Sequence, residues 1–222
     1  MQYSLKYPDC SMYDAVHKTA KKYPDYTAYI FMGRKTKYKD FEDKIHLCAK
    51  ALKSIGVQEG DRVSIALPNC PQALQVFYAV NLIGAIANMV HPLASQNETL
   101  FCLKEANSKF AVCLDSFYEK FIQAKGAAFL KKIIVTSISY EFCPVKKITY
   151  YFAEGWKAKK PKPCKELTLW KKFLACGNNF TGEYKAKKCS QDPAVILYSG
   201  GSTGNKKGVL LSNLNFNAIA KQ

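Results

Sequence analysis

Apolar residues along this chain change period repeatedly, from helical to alternating and back. Phe41, Ile45, Cys48, Leu52 and Ile55 recur at helical spacing, and Gly56 follows where a left-handed cap would end a helix, so the pattern predicts a helix over 40–55. The next stretch, "GVQEGDRVSIALPNCP", turns around Glu59, Gly60 and Asp61, alternates Val63, Ile65 and Leu67 as a strand, and stops at Pro68 and Asn69. Pro71 suits the first turn of a second helix, which Leu74, Phe77, Val80 and Ile83 give an apolar face before Gly84. "AIANMV" then reads as a buried strand, "SQNETLFCLKEAN" as a helix, "FAVCLD" as a strand, "SFYEKFIQAK" as a helix and "KKIIVTSI" as a strand. Such alternation predicts a mostly parallel sheet with helices on both faces, because each parallel pairing needs a right-handed crossover. The fold class is therefore α/β, doubly wound.

After Ile138 the pattern lapses into a lysine-rich segment and resumes with "PAVILYS" as one more strand. This divides the chain into a first α/β region (1–140), a basic connector (141–190) and a final strand, loop and start of a helix (191–222). Between Lys146 and Lys188 twelve lysines face only Glu154, Glu166 and Glu183, which concentrates much of the net charge of +16. Trp156, Trp170 and Phe173 lie in the same segment, so it is a candidate for contact with anionic lipid or with phosphate backbones. The plainer reading is a solvated connector. No helix-turn-helix, RNP or zinc-finger pattern occurs, so a nucleic-acid partner is not expected.

The nine cysteines include no C-x-x-C pair, and His17, His46 and His91 are far apart in sequence, so metal binding is not expected and the thiols read as free and mostly buried. No window approaches the roughly 20 apolar residues of a membrane span, and the start has no signal-peptide pattern; a cytoplasmic location is expected, with peripheral contact at the inner membrane face as the extension of the lipid reading.

The candidate chemistry lies near the end, in "YSGGSTGNKKG", residues 198–208, directly after the strand expected over 194–198. Glycines let the backbone approach an anion, consecutive N–H groups form an anion-binding nest, and hydroxyls and Lys207 donate to phosphate oxygens. Strand, Gly-rich turn and a following helix make a phosphate site in outline. It is not a Walker A loop, which needs a Gly-Lys dipeptide, and no G-x-G-x-x-G occurs.

The order of residues in "YSGGSTGNKKGVLLSNLNFNA" resembles the signature of adenylate-forming enzymes, Y-T-S-G-T-T-G-x-P-K-G-V followed by S-H-x-N. Ser199, Gly200, Gly201, Ser202, Thr203, Gly204, Lys207 and Gly208 occupy its loop positions, and Ser212 and Asn215 its trailing S-x-x-N. Lys206 replaces the usual proline, which leaves the loop less rigid, and Asn213 the usual histidine. The region from Tyr29 to Cys113, with its K-x-x-Y, G-D-R-V-x-I, L-P-N-x-P and G-A-I elements, is similar to the family's opening region; "PNCPQ" and the later "HPL" are nearest to bacterial long-chain fatty acid–CoA ligases.

The resemblance implies the incomplete N-terminal portion of such an enzyme's large domain. It also implies a reaction in which a carboxylic acid, here a fatty acid, joins AMP from ATP with Mg2+ and then passes to the thiol of coenzyme A. The loop would hold the β- and γ-phosphates, with Ser202, Thr203 and Lys207 in direct contact. The family's Y-G-x-T-E and T-G-D motifs and its catalytic lysine do not occur in these residues and are expected after residue 222, so a polypeptide of these residues alone is expected to be poorly soluble and inactive. Against this enzyme reading stand a non-catalytic remnant that binds a nucleotide or a partner subunit and, less well supported, a basic nucleic-acid binder.

Overall fold

In a computed structural model that describes residues 5–150, 152, 161, 164–199 and 206–222, the chain opens with α1 (Met12–Lys22). Asp14 N–H donates to Ser11 Oγ at 3.0 Å and Ser11 N–H donates to Asp14 Oδ2 at 3.1 Å, so two free donors of its first turn are satisfied reciprocally. β1 (Thr27–Phe31) and β2 (Arg34–Lys37) form a separate hairpin around Met32 and Gly33, both at positive φ, as a two-residue turn demands. α2 (Tyr38–Ser54) follows, and Gly56 with φ +93° ends it as expected. Alternation then runs through β3 (Arg62–Ala66), α3 (Pro71–Leu82), β4 (Ile86–Met89), α4 (Gln96–Glu105), β5 (Phe110–Leu114), α5 (Tyr118–Ala124) and β6 (Lys132–Thr136). A 3-10 turn (Ile138–Glu141), α6 (Pro144–Tyr150), β7 (Leu167–Leu169), α7 (Trp170–Asn178), β8 (Pro193–Ser199), β9 (Lys207–Ser212) and α8 (Asn213–Lys221) complete the described elements.

Seven of the strands make one sheet in the order β7-β6-β5-β3-β4-β8-β9, parallel throughout except for β9, which runs antiparallel to β8 at the edge. Its two faces bury different side chains of the same strands. Val63, Ile65, Phe110 and Val112 pack under α1, α2, α3 and α7, whereas Ala66, Ala111, Cys113, Ile133 and Val135 pack under α4 and α5. β3 is therefore buried on both faces, and the alternation of Val63 and Ile65 marks one layer of a central strand, not a half-solvated one. The doubly wound, mostly parallel α/β sheet expected from the sequence is present.

Three local expectations need correction. On α3 the buried positions are Gln72, Gln75, Val76, Ala79 and Val80, while Leu74 is exposed. The two amides turn inward because the 3-10 turn offers partners: Gln72 Nε2 donates to the Ser137 carbonyl at 3.0 Å and Gln75 Nε2 to Glu141 Oε1 at 3.3 Å. In the lysine-rich segment the pattern does not lapse throughout, since β7 pairs with β6 and α7 lies against α2. Trp170 and Phe173 are core residues with ring centroids 5.4 Å apart, which removes them from any lipid-facing surface; Trp156, Lys157, Lys159, Lys160 and Lys162 lie outside the described residues. Gly177 is what lets α7 approach: a Cβ there would stand 2.5 Å from the Leu47 carbonyl oxygen and 2.9 Å from Ala51 N. Lastly, the run after the Gly-rich loop is a strand before it is a helix.

All nine cysteines are free thiols; Cys10, Cys48, Cys70, Cys102 and Cys113 are buried, whereas Cys164, Cys176 and Cys189 are exposed. No described helix is long and apolar enough to cross a membrane.

A chain of polar contacts fastens α1 to α2 and to the strandless segment before β8. Tyr184 O–H donates to His46 Nδ1 at 3.2 Å, His46 Nε2–H to the Tyr13 oxygen at 2.9 Å, and Tyr13 O–H to Glu42 Oε1 at 3.0 Å, with His17 closing on the same carboxylate. That sequence of donors requires neutral His46. Burial, with help from nearby Lys185, holds its imidazole below the ordinary value of 6.5. A histidine depressed in the fold takes up its proton more readily when unfolded, so its stabilisation is complete above about 6.5 and is lost as pH falls toward the folded value. The melting temperature is expected to decline as pH is lowered from 7 toward 5, and less steeply in His46→Gln; equal slopes in differential scanning calorimetry would remove His46 as the cause.

Candidate functional site

The sheet's winding reverses at one place. From β3 the chain crosses by α3 to β4, and from β4 it returns by α4 on the opposite face to β5, on the far side of β3. Between the carboxyl ends of β3 and β4 the outgoing connections part, which is where open α/β sheets form their binding crevice. A cavity of about 910 Å³ lies there, walled by Leu67, Pro68 and Asn69 after β3, by residues 89–94 after β4, and by Glu98, Tyr198 and Lys206.

The two feet of the Gly-rich loop stand beside this cavity, since Tyr198 and Lys206 line it. β8 runs parallel to β4 and ends at Ser199, and Lys207 begins the returning strand directly opposite Ser199, with Gly208 opposite Tyr198. Three of the expected site residues, Ser199, Lys207 and Gly208, are thus brought together at the two feet of the loop; Gly200, Gly201, Ser202, Thr203 and Gly204 lie outside the described residues. The expected strand–loop–helix is corrected to strand–loop–strand. Gly208, Val209, Leu210 and Leu211 pair with β8 as the antiparallel edge strand before α8 begins. Gly208 has a steric reason as well, since a Cβ would sit 3.3 Å from Ile196 Cγ2 and from the Tyr198 ring.

The trailing S-x-x-N does not belong to this edge. Asn215 Oδ1 accepts Ser212 N–H at 2.8 Å and Ser212 O–H at 3.0 Å, closing the first turn of α8. β9 separates that turn from the loop by six residues, about 20 Å of extended chain. Asn213, which replaces the resemblance's histidine, points inward and is fully buried.

Under α4 a buried polar network fixes Tyr198. Its hydroxyl donates toward Asn88 Oδ1 at 2.9 Å and lies 3.0 Å from the Cys102 carbonyl, while Asn88 Nδ2 donates to Ser64 Oγ at 2.8 Å and Ser64 O–H donates to Ser108 Oγ at 2.8 Å. Burial raises the Tyr198 phenol and the Cys102 thiol above their ordinary values, so both stay protonated. Neither is a nucleophile. The charged groups on the cavity wall are Glu98 and Lys206, which form an ion pair. Hydrogen bonds from Lys206 and from the Ser95 backbone bring the Glu98 carboxyl down to about 2. Sequence reading had noted Lys206 only as a lost proline and had not singled out Glu98, whose one signal was its place three residues after Ser95 at a helix start.

Among the described residues no three His, Cys, Asp or Glu side chains converge on a metal position. The described part of the site is thus Ser199, Lys206, Lys207 and Gly208 at the feet of the loop, with Lys206 also on the wall of the crevice.

Comparison with known proteins agrees with this geometry. The family model described as AMP-binding enzyme matches residues 16–222. A long-chain-fatty-acid–CoA ligase of Bacillus subtilis is 30% identical over 217 residues, covering 96% of this chain and 38% of that protein, and an acetyl-coenzyme A synthetase of Coprinopsis cinerea is 30% identical over 206 residues, covering 89% and 30%. A solved long-chain-fatty-acid-CoA ligase from Archaeoglobus fulgidus shares the fold with a TM-score of 0.76 at 20% identity, over 98% of this chain and 40% of its own. The chain therefore spans well under half the length of these relatives. A family match that takes in all but the first fifteen residues decides the assignment: the chain belongs to the AMP-binding enzymes.

Proposed function

We propose that this chain supplies the triphosphate-holding part of an ATP-dependent, AMP-forming acid–thiol ligase whose acid is a fatty acid. The observation that supports the reading is that Tyr198 and Lys206, which flank the Gly-rich loop, line the crevice at the carboxyl ends of β3 and β4, with Ser199 and Lys207 paired at the loop's two feet. The names of the relatives favour an acid joined to coenzyme A, and the Bacillus protein favours a long chain.

In the first step a carboxylate oxygen attacks the α-phosphorus of ATP and pyrophosphate leaves with the electrons of the broken P–O bond, giving an acyl adenylate. In the second the thiol sulfur of coenzyme A attacks the acyl carbonyl, loses its proton and displaces AMP. The loop's part is positional and electrostatic: backbone N–H groups of Gly200, Gly201 and Gly204, the hydroxyls of Ser199, Ser202 and Thr203, and the ammonium of Lys207 hold the β- and γ-phosphates in line for attack, and Gly208 lets β9 close against β8. Mg2+ would arrive bound to the triphosphate and would neutralise part of its charge, since no described side chains of this chain form a site that would hold it.

The test is product analysis with ATP, coenzyme A and acetate, octanoate or palmitate in turn, made on these residues joined to the remainder of the ligase that the proposal implies. Equal release of AMP and pyrophosphate is expected, with kcat/KM highest for the long chain. Formation of ADP, or turnover indifferent to the acid, would overturn the ligase reading; nucleotide binding without turnover would favour a non-catalytic nucleotide-binding role.

A further inference from the structure

Lys206 stands where the resemblance expects proline, so it is a cation beyond those the loop pattern supplies. It directly precedes β9, and the neighbouring contacts fix its direction. Residues along a strand alternate between faces. Gly208 faces Tyr198 and Glu105 of α4, so Lys206 projects toward α4 as well, while Lys207 shares the opposite face with Ser199. The two lysines thus flank the exit of the loop from both sides of the hairpin.

Lys206 Nζ meets Glu98 Oε1. Glu98 is held in place independently: its Oε2 accepts Ser95 N–H at 2.8 Å, and its own N–H donates to Ser95 Oγ at 3.2 Å, at the first turn of α4. A carboxylate fixed by its helix and a lysine on an extended strand both face the 910 Å³ cavity. Their side chains remain 38% and 41% exposed, respectively, so water screens the pair and its parting is easy. A triphosphate carries several negative charges against one on the carboxylate, and an ammonium within reach of both favours the larger charge.

We propose that Lys206 is a second ammonium ligand for the triphosphate, and that Glu98 is an internal competing anion that occupies it until nucleotide displaces the carboxylate. This rests on the triphosphate reading of the loop and deepens it. Glu98 acts through Lys206: it is a positioning residue that sets how much nucleotide is needed, not a group that touches the reacting atoms.

The experiment is isothermal titration calorimetry of MgATP, and separately of inorganic tripolyphosphate, into wild type, Glu98→Gln, Lys206→Met, Lys206→Arg and the double variant Glu98→Gln/Lys206→Met. Removing the competitor is expected to tighten Kd about threefold to tenfold, and removing the ammonium to weaken it about tenfold, as one charge-assisted contact allows. Lys206→Arg should bind like wild type. The double variant should match Lys206→Met, because Glu98 has nothing to compete for once the lysine is gone. A structural role of Glu98 at the start of α4 would lower the melting temperature without tightening binding.

Glu98→Gln with unchanged or weaker affinity, or Lys206→Met indistinguishable from wild type, overturns the proposal while the loop reading stands, provided wild type binds and exchanges pyrophosphate. Absence of any nucleotide or tripolyphosphate binding by wild type overturns both.

Discussion

Lys207→Ala is expected to lower carboxylate-dependent ATP–pyrophosphate exchange by about 10- to 150-fold, the cost of one charge-assisted hydrogen bond to phosphate of about 1.5–3 kcal/mol. Lys207 begins β9 opposite Ser199, so the residues that enter and leave the loop share one face of the hairpin. Its side chain is exposed and makes no ion pair among the described residues, which leaves the ammonium available to an incoming anion. Because nothing in the core depends on it, the melting temperature should not change. The hairpin register sets Lys207 against Ser199 and Gly208 against Tyr198. A normal exchange rate in a folded Lys207→Ala protein would take this lysine out of the site. The contrast with Lys206→Met then shows whether the two ammonium groups act together or whether one alone carries the contact.

The second large effect lies at the far end of the same hairpin, where β9 passes into α8, and concerns stability alone. Asn213 Oδ1 accepts Met12 N–H at 3.1 Å and Asn81 Nδ2–H at 2.8 Å, while Asn213 Nδ2 donates to the Cys189 carbonyl at 3.0 Å. Asn81 Oδ1 in turn accepts Tyr13 N–H at 2.9 Å. Two backbone donors at the start of α1, which no helical turn can satisfy, are therefore met by side chains from α8 and α3. Asn213→Ala strands the Met12 N–H and one amide proton of Asn81 in a buried place, at about 1–3 kcal/mol each, for a loss of about 2–5 kcal/mol in urea unfolding. Histidine should do no better, since its ring cannot both accept two hydrogen bonds and donate one in the same plane as the amide does. Exchange activity of the folded fraction should be unaffected, because β9 separates Asn213 from the loop. A stability loss below about 0.5 kcal/mol would mean that water or rearrangement replaces these bonds.

The two variants divide the family's motif into parts that do different work. In the proposed reading Gly208 and Lys207 close and charge the loop, whereas the S-x-x-N that follows caps a helix and, through Asn213, ties the last described helix to the first. Sequence alone put these residues in one motif because they are consecutive. The intervening strand is what separates them, and it was not foreseen: Val209, Leu210 and Leu211 form an uninterrupted apolar run too short to show a period, and the pairing partner that makes it a strand is β8.

Legibility followed the same physical line elsewhere. α2 with its cap at Gly56 and the alternation from β3 to β6 were readable because local periodicity and global fold agree there. The inward turn of Gln72 and Gln75 was not, since only the distant Ser137 and Glu141 explain it. β7 has three residues, too few for a pattern, and the lysines around it obscured the burial of Trp170 and Phe173. At the site, residue type and order carry the proposal for the loop, and the pairing of Ser199 with Lys207 places its two feet side by side. The Lys206–Glu98 pair could not, because residues 108 positions apart are joined only by the fold.

The most direct measurement is ATP–pyrophosphate exchange in the absence of coenzyme A, with and without a long-chain fatty acid, by these residues joined to the remainder of the proposed ligase. Reversible acyl-adenylate formation predicts label transfer from pyrophosphate into ATP that depends on the acid and falls about 10- to 150-fold in Lys207→Ala. Exchange that proceeds equally without any carboxylic acid, or its complete absence in a protein that binds both ATP and the acid, would contradict adenylate formation at this loop.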